Sequence, residues 1–358
     1  MGLWTLRQSV GIGLLFSRSG SYRLIAEACR LGALRAVQAV NADPALPRLH
    51  GVERDPAGEA DAYAPLCAEI LATGARHVVG CCTSWSRKEV IPTLERLGGS
   101  LWYPCPYEGF EASTHVVYAH ACPSQHLAPL LAWVGPRHGR RGFLLGSNYI
   151  WGWEVNRAAR GIVAEAGGEV LGERYLPLGD DDVGRLLAEV RATRPDWVLN
   201  NLIGPSSYAF IRAYAALGRE DPDFAPARRP VLSCNFTECE LPALGADAEG
   251  LVSAGPYFRE GEAAFGSSFE AAAHDAVLSL AHRLARAGTD APLRDLLALD
   301  APGIRIDPAT HHAMLPALVA QVERGAFRVR ERHAAVPADP YLTHRVSLTR
   351  PRLALVRP

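Results

Sequence analysis

Thr83-Ser84-Trp85-Ser86 puts three hydroxyls and an indole directly after the apolar run Val78–Cys82 and just before a helical pattern. Hydroxyls at a strand-to-helix turn cap the helix, and the N–H groups there can bind a ligand oxygen. The run Tyr103-Pro104-Cys105-Pro106-Tyr107-Glu108-Gly109-Phe110 crowds three aromatics, two prolines and one carboxylate into a single loop. Tyr149-Ile150-Trp151-Gly152-Trp153 supplies a second aromatic loop. Aromatic walls with a few fixed polar groups suit a small, neutral, polar ligand rather than a charged polymer. Asn201, Asn235 and Thr237 follow further apolar runs and complete the polar set.

Other chemistries lack their parts. Gly11 and Gly13 lie inside an apolar run and not in the turn after it, so no dinucleotide fingerprint forms. No nucleophile-elbow or phosphate-loop lysine motif occurs. The eight cysteines form no CxxC pair and sit mostly in apolar runs, where they read as small buried hydrophobes in a reducing compartment. No catalytic residue, metal ligand or cofactor is therefore expected. Asp180-Asp181-Asp182 precedes a helical pattern and suits its positive end.

Those loops need a frame. Apolar runs alternate with helical patterns in two series, the second beginning near residue 120. Strands are predicted at Val10–Phe16, Leu49–Glu53, Val78–Cys82, Leu101–Tyr103 and Val116–Tyr118. The second series adds Arg141–Gly146, Val170–Tyr175, Trp197–Asn201, Val231–Cys234 and Leu251–Ala254. Helices are predicted between them, including Arg87–Leu97 and Glu154–Ala166, with short strands at Arg305–Ile306 and Phe327–Glu331. Such alternation means parallel sheets covered by helices, with function on the loops after strands.

The chain has 358 residues, 48% hydrophobic and 21% charged, with a net charge of −1. This excludes a disordered chain and a generally nucleic-acid-coating one. Lys88 is the only lysine, a compositional bias that lowers the weight of any single arginine. Arg7 precedes only the short run Val10–Phe16 with no small-residue cleavage pattern, and no run is long enough to cross a membrane. A cytoplasmic location is expected, or a periplasmic one if a leader has been removed. Arg345, Arg350, Arg352 and Arg357 mark the tail as a solvated arm.

The stretch Gly80-Cys81-Cys82-Thr83-Ser84-Trp85-Ser86-Arg87-Lys88-Glu89-Val90-Ile91-Pro92, followed by Trp102-Tyr103-Pro104-Cys105-Pro106-Tyr107-Glu108-Gly109, resembles the urea- and short-chain-amide-binding branch of the type I periplasmic-binding-protein superfamily. Gly146-Ser147-Asn148-Tyr149-Ile150, Tyr175-Leu176-Pro177-Leu178-Gly179, Trp197-Val198-Leu199-Asn200-Asn201 and Gly255-Pro256-Tyr257-Phe258 fall in the same order, so the likeness runs from about residue 9 to 335.

The resemblance implies an α/β fold of two doubly wound, Rossmann-like lobes joined by a three-crossing hinge. Residues 1–119 plus 256–308 would form lobe 1, 120–255 plus 309–335 lobe 2, and 336–358 the tail. It implies ligand binding without chemistry. Ser84 matches the serine that binds the amide, Tyr149 an aromatic of the second lobe, and Tyr103 with its loop a third wall. Cys82, Cys105 and Trp151 depart from the family pattern of Tyr, Thr and Tyr, which changes hydrogen bonding and cavity shape. The segment around Ser267–Asp275 is shorter than in relatives.

The function this implies is a sensor of a small amide- or urea-like ligand that controls a regulatory partner, an RNA-binding antitermination protein. The alternative is the substrate-binding subunit of an ABC transporter for urea, amides or amino acids, whose partner is a permease. Direct nucleic-acid binding is not expected, and an oligomer of identical chains is.

Overall fold

The computed structural model describes residues 7–111 and 113–343. The arginines singled out in the tail lie outside them. In chain order the elements are β1 (Ser9–Leu15), α1 (Arg23–Ala42), β2 (Arg48–Arg54), α2 (Tyr63–Ala72), β3 (His77–Gly80), α3 (Ser84–Leu97), β4 (Ser100–Tyr103) and β5 (Val116–Tyr118). The second series is α4 (Leu127–His138), β6 (Arg141–Ser147), α5 (Ile150–Glu165), β7 (Glu169–Leu176), α6 (Gly184–Thr193), β8 (Trp197–Asn201), α7 (Pro205–Glu220), β9 (Val231–Ser233), α8 (Leu241–Leu244) and β10 (Val252–Gly255). Two helices, α9 (Ser268–Ala287) and α10 (Leu293–Leu297), and two strands, β11 (Leu315–Glu323) and β12 (Ala326–Val336), close the described chain.

These elements separate into two compact units. Among the described residues, unit 1 draws on 7–105, 113–120 and 269–314, and unit 2 on 106–111, 121–268 and 315–343. Unit 1 holds a parallel sheet in the order β2-β1-β3-β4-β5. Unit 2 repeats that order as β7-β6-β8-β9-β10, also parallel, and extends it with the antiparallel pair β11 and β12. Both are doubly wound α/β sheets, the arrangement the sequence resemblance implies.

Burial explains why unbroken apolar runs made strands. In β1, Ile12, Leu14 and Leu15 are all buried, and every residue of β3 and β8 is buried. A parallel strand covered on both faces has no polar side to show. Helix α1 packs so closely that a Cβ on Gly32 would meet the Glu270 carbonyl oxygen of α9 at 2.0 Å. Only glycine fits there, and the Arg35–Glu270 ion pair fastens the same two helices.

The unit boundaries depart from the expected lobe boundaries at residue 120 and at four longer segments. Residues 256–268 belong to unit 2, where Phe258 packs on Phe327 with ring centroids 4.8 Å apart. Residues 309–314 belong to unit 1, because Tyr118 N–H donates to the His311 carbonyl (2.9 Å) and Ala313 N–H to the Tyr118 carbonyl (3.0 Å). Residues 106–111 leave unit 1 for unit 2. The segment after Val336 does not stand apart: Phe110 N–H donates to the Pro340 carbonyl (3.0 Å) and Asp339 N–H to Ser124 Oγ (2.9 Å), all within unit 2.

Four elements differ from the sequence expectation, one being the strand at Arg305–Ile306, which is only an isolated bridge of Ile306 to Ala313. Helix α3 starts at Ser84, not Arg87, because Thr83 caps it. Helix α5 starts at Ile150, not Glu154, so the second aromatic loop is a first helical turn. The short strand expected at Phe327–Glu331 is one arm of a long hairpin, turned by Arg324 (φ 54°) and Gly325 (φ 75°). Two left-handed residues in a two-residue loop match the twist of the strands they join.

Candidate functional site

In an open α/β sheet the chain order reverses between two neighbouring strands, and the loops after them part to leave a crevice. In unit 1 the reversal lies between β1 and β3, so the loops after Leu15 and Gly80 diverge there. The first loop is occupied by structure: Ser17 Oγ lies 2.9 Å from the Tyr63 hydroxyl and accepts from Gly58 N–H at 3.1 Å. Burial raises the Tyr63 phenol well above its ordinary range, so it stays neutral.

The second loop is a reciprocal cap. Thr83 Oγ1 accepts from Ser86 N–H (3.1 Å), and Ser86 Oγ accepts from Thr83 N–H (3.1 Å). The cap satisfies two N–H groups and fixes the entry to α3. Ser84, its first residue, is buried beside it. Arg87, one turn on, is fully buried with its guanidinium 4.9 Å from the centre of the Tyr103 ring.

Beneath this turn three thiols converge. Cys82 follows β3, Cys105 follows β4 and Cys29 lies in α1, and their sulfurs all fall within 4.8 Å of one another. Burial pushes the Cys82 thiol up, but hydrogen bonds from Cys105 and Cys29 outweigh it and bring it down to about 5. Burial holds Cys105 well above the ordinary range. Cys81, between β3 and Cys82, has a left-handed backbone (φ 63°) and donates its S–H to the Ser86 carbonyl at 3.4 Å.

In unit 2 the reversal lies between β6 and β8. Ser147, ending β6, accepts at Oγ from Ile203 N–H (3.0 Å) and so ties the two loops together. Gly152 lets the first turn of α5 close on β6, since a Cβ there would lie 2.2 Å from the Ser147 carbonyl oxygen. Asn201 ends β8 fully buried; its Nδ2 donates to Asn156 Oδ1 at 2.8 Å, while its own Oδ1 has no hydrogen-bond partner. Ser206 Oγ and Trp151 Nε1, both buried, also lack partners. Buried polar atoms are normally paired, so unpaired ones beside the reversal point are candidates for a ligand.

After β9, Ser233 Oγ donates to Asn235 Oδ1 (3.1 Å) and accepts from Phe236 N–H (3.0 Å), which shapes the turn carrying Asn235 and Thr237. Thr237 Oγ1 lies 3.4 Å from Cys239 Sγ. Glu240 is fully buried, and burial raises its carboxyl to about 8 against the lowering effect of the Tyr208 hydroxyl.

The expected site residues thus fall into two groups. Cys82, Thr83, Ser84, Tyr103 and Cys105 gather in unit 1, and Tyr149, Trp151, Asn201, Asn235 and Thr237 in unit 2, all buried. Three placements differ from expectation. Trp85 is 41% exposed, so it lines no buried wall within its unit. Pro106 and Tyr107 fall in unit 2, where the Tyr107 hydroxyl donates to the Glu111 carbonyl (2.9 Å). Trp153, read with the second aromatic loop, is 45% exposed and donates from Nε1 to Asn148 Oδ1 (3.0 Å).

Sequence reasoning did not select Cys29, Arg87, Asn156, Tyr208 or Glu240. The doubled Asn200-Asn201 at a strand end was a signal for the β8 group; Cys29, one small residue on an apolar helix face, gave none.

A family model described as periplasmic binding protein domain matches residues 10–282. Solved structures share the fold. One is a solute-binding protein of an ABC transporter from R. palustris in complex with 4-hydroxybenzoate, at 19% identity and TM-score 0.80, covering 94% of this chain and 100% of that one. Another is an amino acid ABC transporter substrate-binding protein from Pseudomonas fluorescens, at 18% identity and TM-score 0.76, covering 92% and 97%. A leucine-binding protein from Thermotoga maritima matches at 16% identity and TM-score 0.75, covering 90% and 98%. At these identities the likeness is one of fold. No helix among the described residues is long and apolar enough to cross a membrane.

Proposed function

Because the chain belongs to the periplasmic binding protein family, we propose that it is the solute-binding component of an ABC-type importer and performs no chemistry on its ligand. The observation that carries this is the set of buried, unpartnered polar atoms at the reversal point of unit 2, Asn201 Oδ1, Ser206 Oγ and Trp151 Nε1, on a family fold. A binding site needs such groups preformed; an enzyme would add a positioned nucleophile and base.

The transporter reading, the alternative at the level of sequence, displaces the sensor. Two of the neighbours described above are named as ABC transporter binding proteins, which supports a permease rather than the antitermination protein as the partner. The same relation favours a periplasmic location over the cytoplasmic one expected. Cell fractionation of the native gene product tests that point.

For the ligand, we favour a small organic carboxylate. Neighbours of this fold hold benzoates or are named for amino acids, and the Ser84 turn begins a 14-residue helix whose positive end suits a carboxylate oxygen. A second reading, an uncharged amide or urea, is kept by the Gly80–Pro92 and Trp102–Gly109 motifs. A thermal-shift screen of the full chain against benzoate, 4-hydroxybenzoate, leucine, acetamide and urea separates the two. Ligand at 100 times Kd adds about 2.7 kcal/mol. A shift with acids alone supports the first reading, a shift with amides alone the second, and silence from all five contradicts both.

A further inference from the structure

We propose that Cys29, Cys82 and Cys105 form a buried three-sulfur site for a single copper(I) ion. The three residues come from separate segments, α1 and the turns after β3 and β4, yet Cys29 Sγ and Cys105 Sγ stand 3.7 Å apart and all three sulfurs lie within 4.8 Å. A metal–sulfur bond of about 2.3 Å puts the corners of a trigonal set about 4.0 Å apart, so the cluster already has the required size. The three side chains are buried, and the turn that carries Cys82 is shaped by the left-handed backbone of Cys81, a conformation that non-glycine residues hold at a cost.

The ligand count selects the ion. Thiolates favour soft cations, copper(I) and zinc among them. Zinc completes a tetrahedron, but among the described residues no fourth His, Cys, Asp or Glu joins this group, and burial keeps water from the vacant corner. Copper(I) is satisfied by the sulfurs present. Its uptake breaks S–H bonds and forms Cu–S bonds with no change in oxidation state; each thiol that becomes a thiolate releases one proton to solvent. The site would pin α1 to the turn that carries Thr83 and Ser84. It does not depend on which solute, if any, the protein binds.

The test is competition for copper(I) between the reduced full-length protein and a chromophoric copper(I) chelator under ascorbate, without added solute. One equivalent retained per chain, with three sulfur neighbours by X-ray absorption, is the expected result. Cys82→Ser and Cys105→Ser should each weaken retention by more than about tenfold, whereas Cys234→Ser, altering a buried cysteine of unit 2, should not. Failure to hold copper against the chelator, two or fewer sulfur neighbours, or equal retention by Cys82→Ser overturns the proposal. So does quantitative closure of a Cys29–Cys105 disulfide in protein purified without reductant. The sulfur count on the native protein decides the matter even if a variant fails to fold.

Discussion

Tyr208 donates its hydroxyl hydrogen to Oε1 of Glu240 at 2.9 Å, both residues buried in unit 2, while Oε2 of the same carboxyl has no partner. Burial dominates and raises the carboxyl to about 8, so it carries its proton at neutral pH. A carboxyl raised in the folded state holds its proton after the unfolded chain has released it. Stability is therefore fully present below the unfolded value of about 4.3 and declines as pH rises towards 8. The contribution is on the order of 5 kcal/mol. Glu240→Gln should flatten that decline, and Tyr208→Phe, which removes a lowering hydrogen bond, should carry it to higher pH. Chemical denaturation between pH 5 and 9 reads both.

The acid side is set by histidines. Burial lowers His77, His126 and His312 to about 4 each, so all three are neutral in the folded protein above that pH. Their folded values lie below the unfolded value of about 6.5, so stability is complete above 6.5 and is lost as pH falls towards 4. His126→Gln should reduce the acid-limb slope between those limits; an unchanged slope would contradict the assignment.

Two glycines in helices should respond oppositely to alanine. At Gly32 the new Cβ would meet the Glu270 carbonyl oxygen, so the variant should lose about 1–3 kcal/mol or more as α1 and α9 separate. At Gly161, in α5, nothing lies within reach of a Cβ, and the change should add about 0.5–1 kcal/mol. Melting temperatures moving the same way would refute the packing account.

The turn before α3 should divide stability from binding. Thr83→Ala removes one half of the reciprocal cap and should cost about 1 kcal/mol of stability. Ser84→Ala leaves the cap intact and should lower solute affinity with little change in melting temperature. If Ser84→Ala destabilises as much as Thr83→Ala, Ser84 belongs to the cap and not to the site.

The sequence showed the repeated α/β order because its strands are buried on both faces and so read as largely apolar runs, as in Ile12–Leu15 of β1 and Val78–Gly80 of β3. Boundaries were less legible where a helix begins without the usual acidic partner. At α3 the box is Thr83 with Ser86 instead of a glutamate, and at α5 Tyr149 gives no side-chain cap. The β11–β12 hairpin was obscured by Pro316 in one strand and by Arg324 at a turn position where Asn or Asp is the usual sign. For the candidate site, motif likeness selected Thr83, Ser84 and Asn201. It gave no reason to join Cys29 to Cys82 and Cys105, because contacts between residues 29, 82 and 105 are made by the sheet order and not by spacing.

The central claim is that this chain binds a small solute through its strand-end loops. Isothermal titration of the native protein with 4-hydroxybenzoate, leucine and acetamide, each repeated on Asn201→Ala, tests it most directly. The account predicts saturable binding of one class at one molecule per chain, weakened by about tenfold or more in Asn201→Ala, since an unmet buried polar group costs about 1–3 kcal/mol. No heat from any of the three on the native protein, or full affinity in Asn201→Ala, would contradict it.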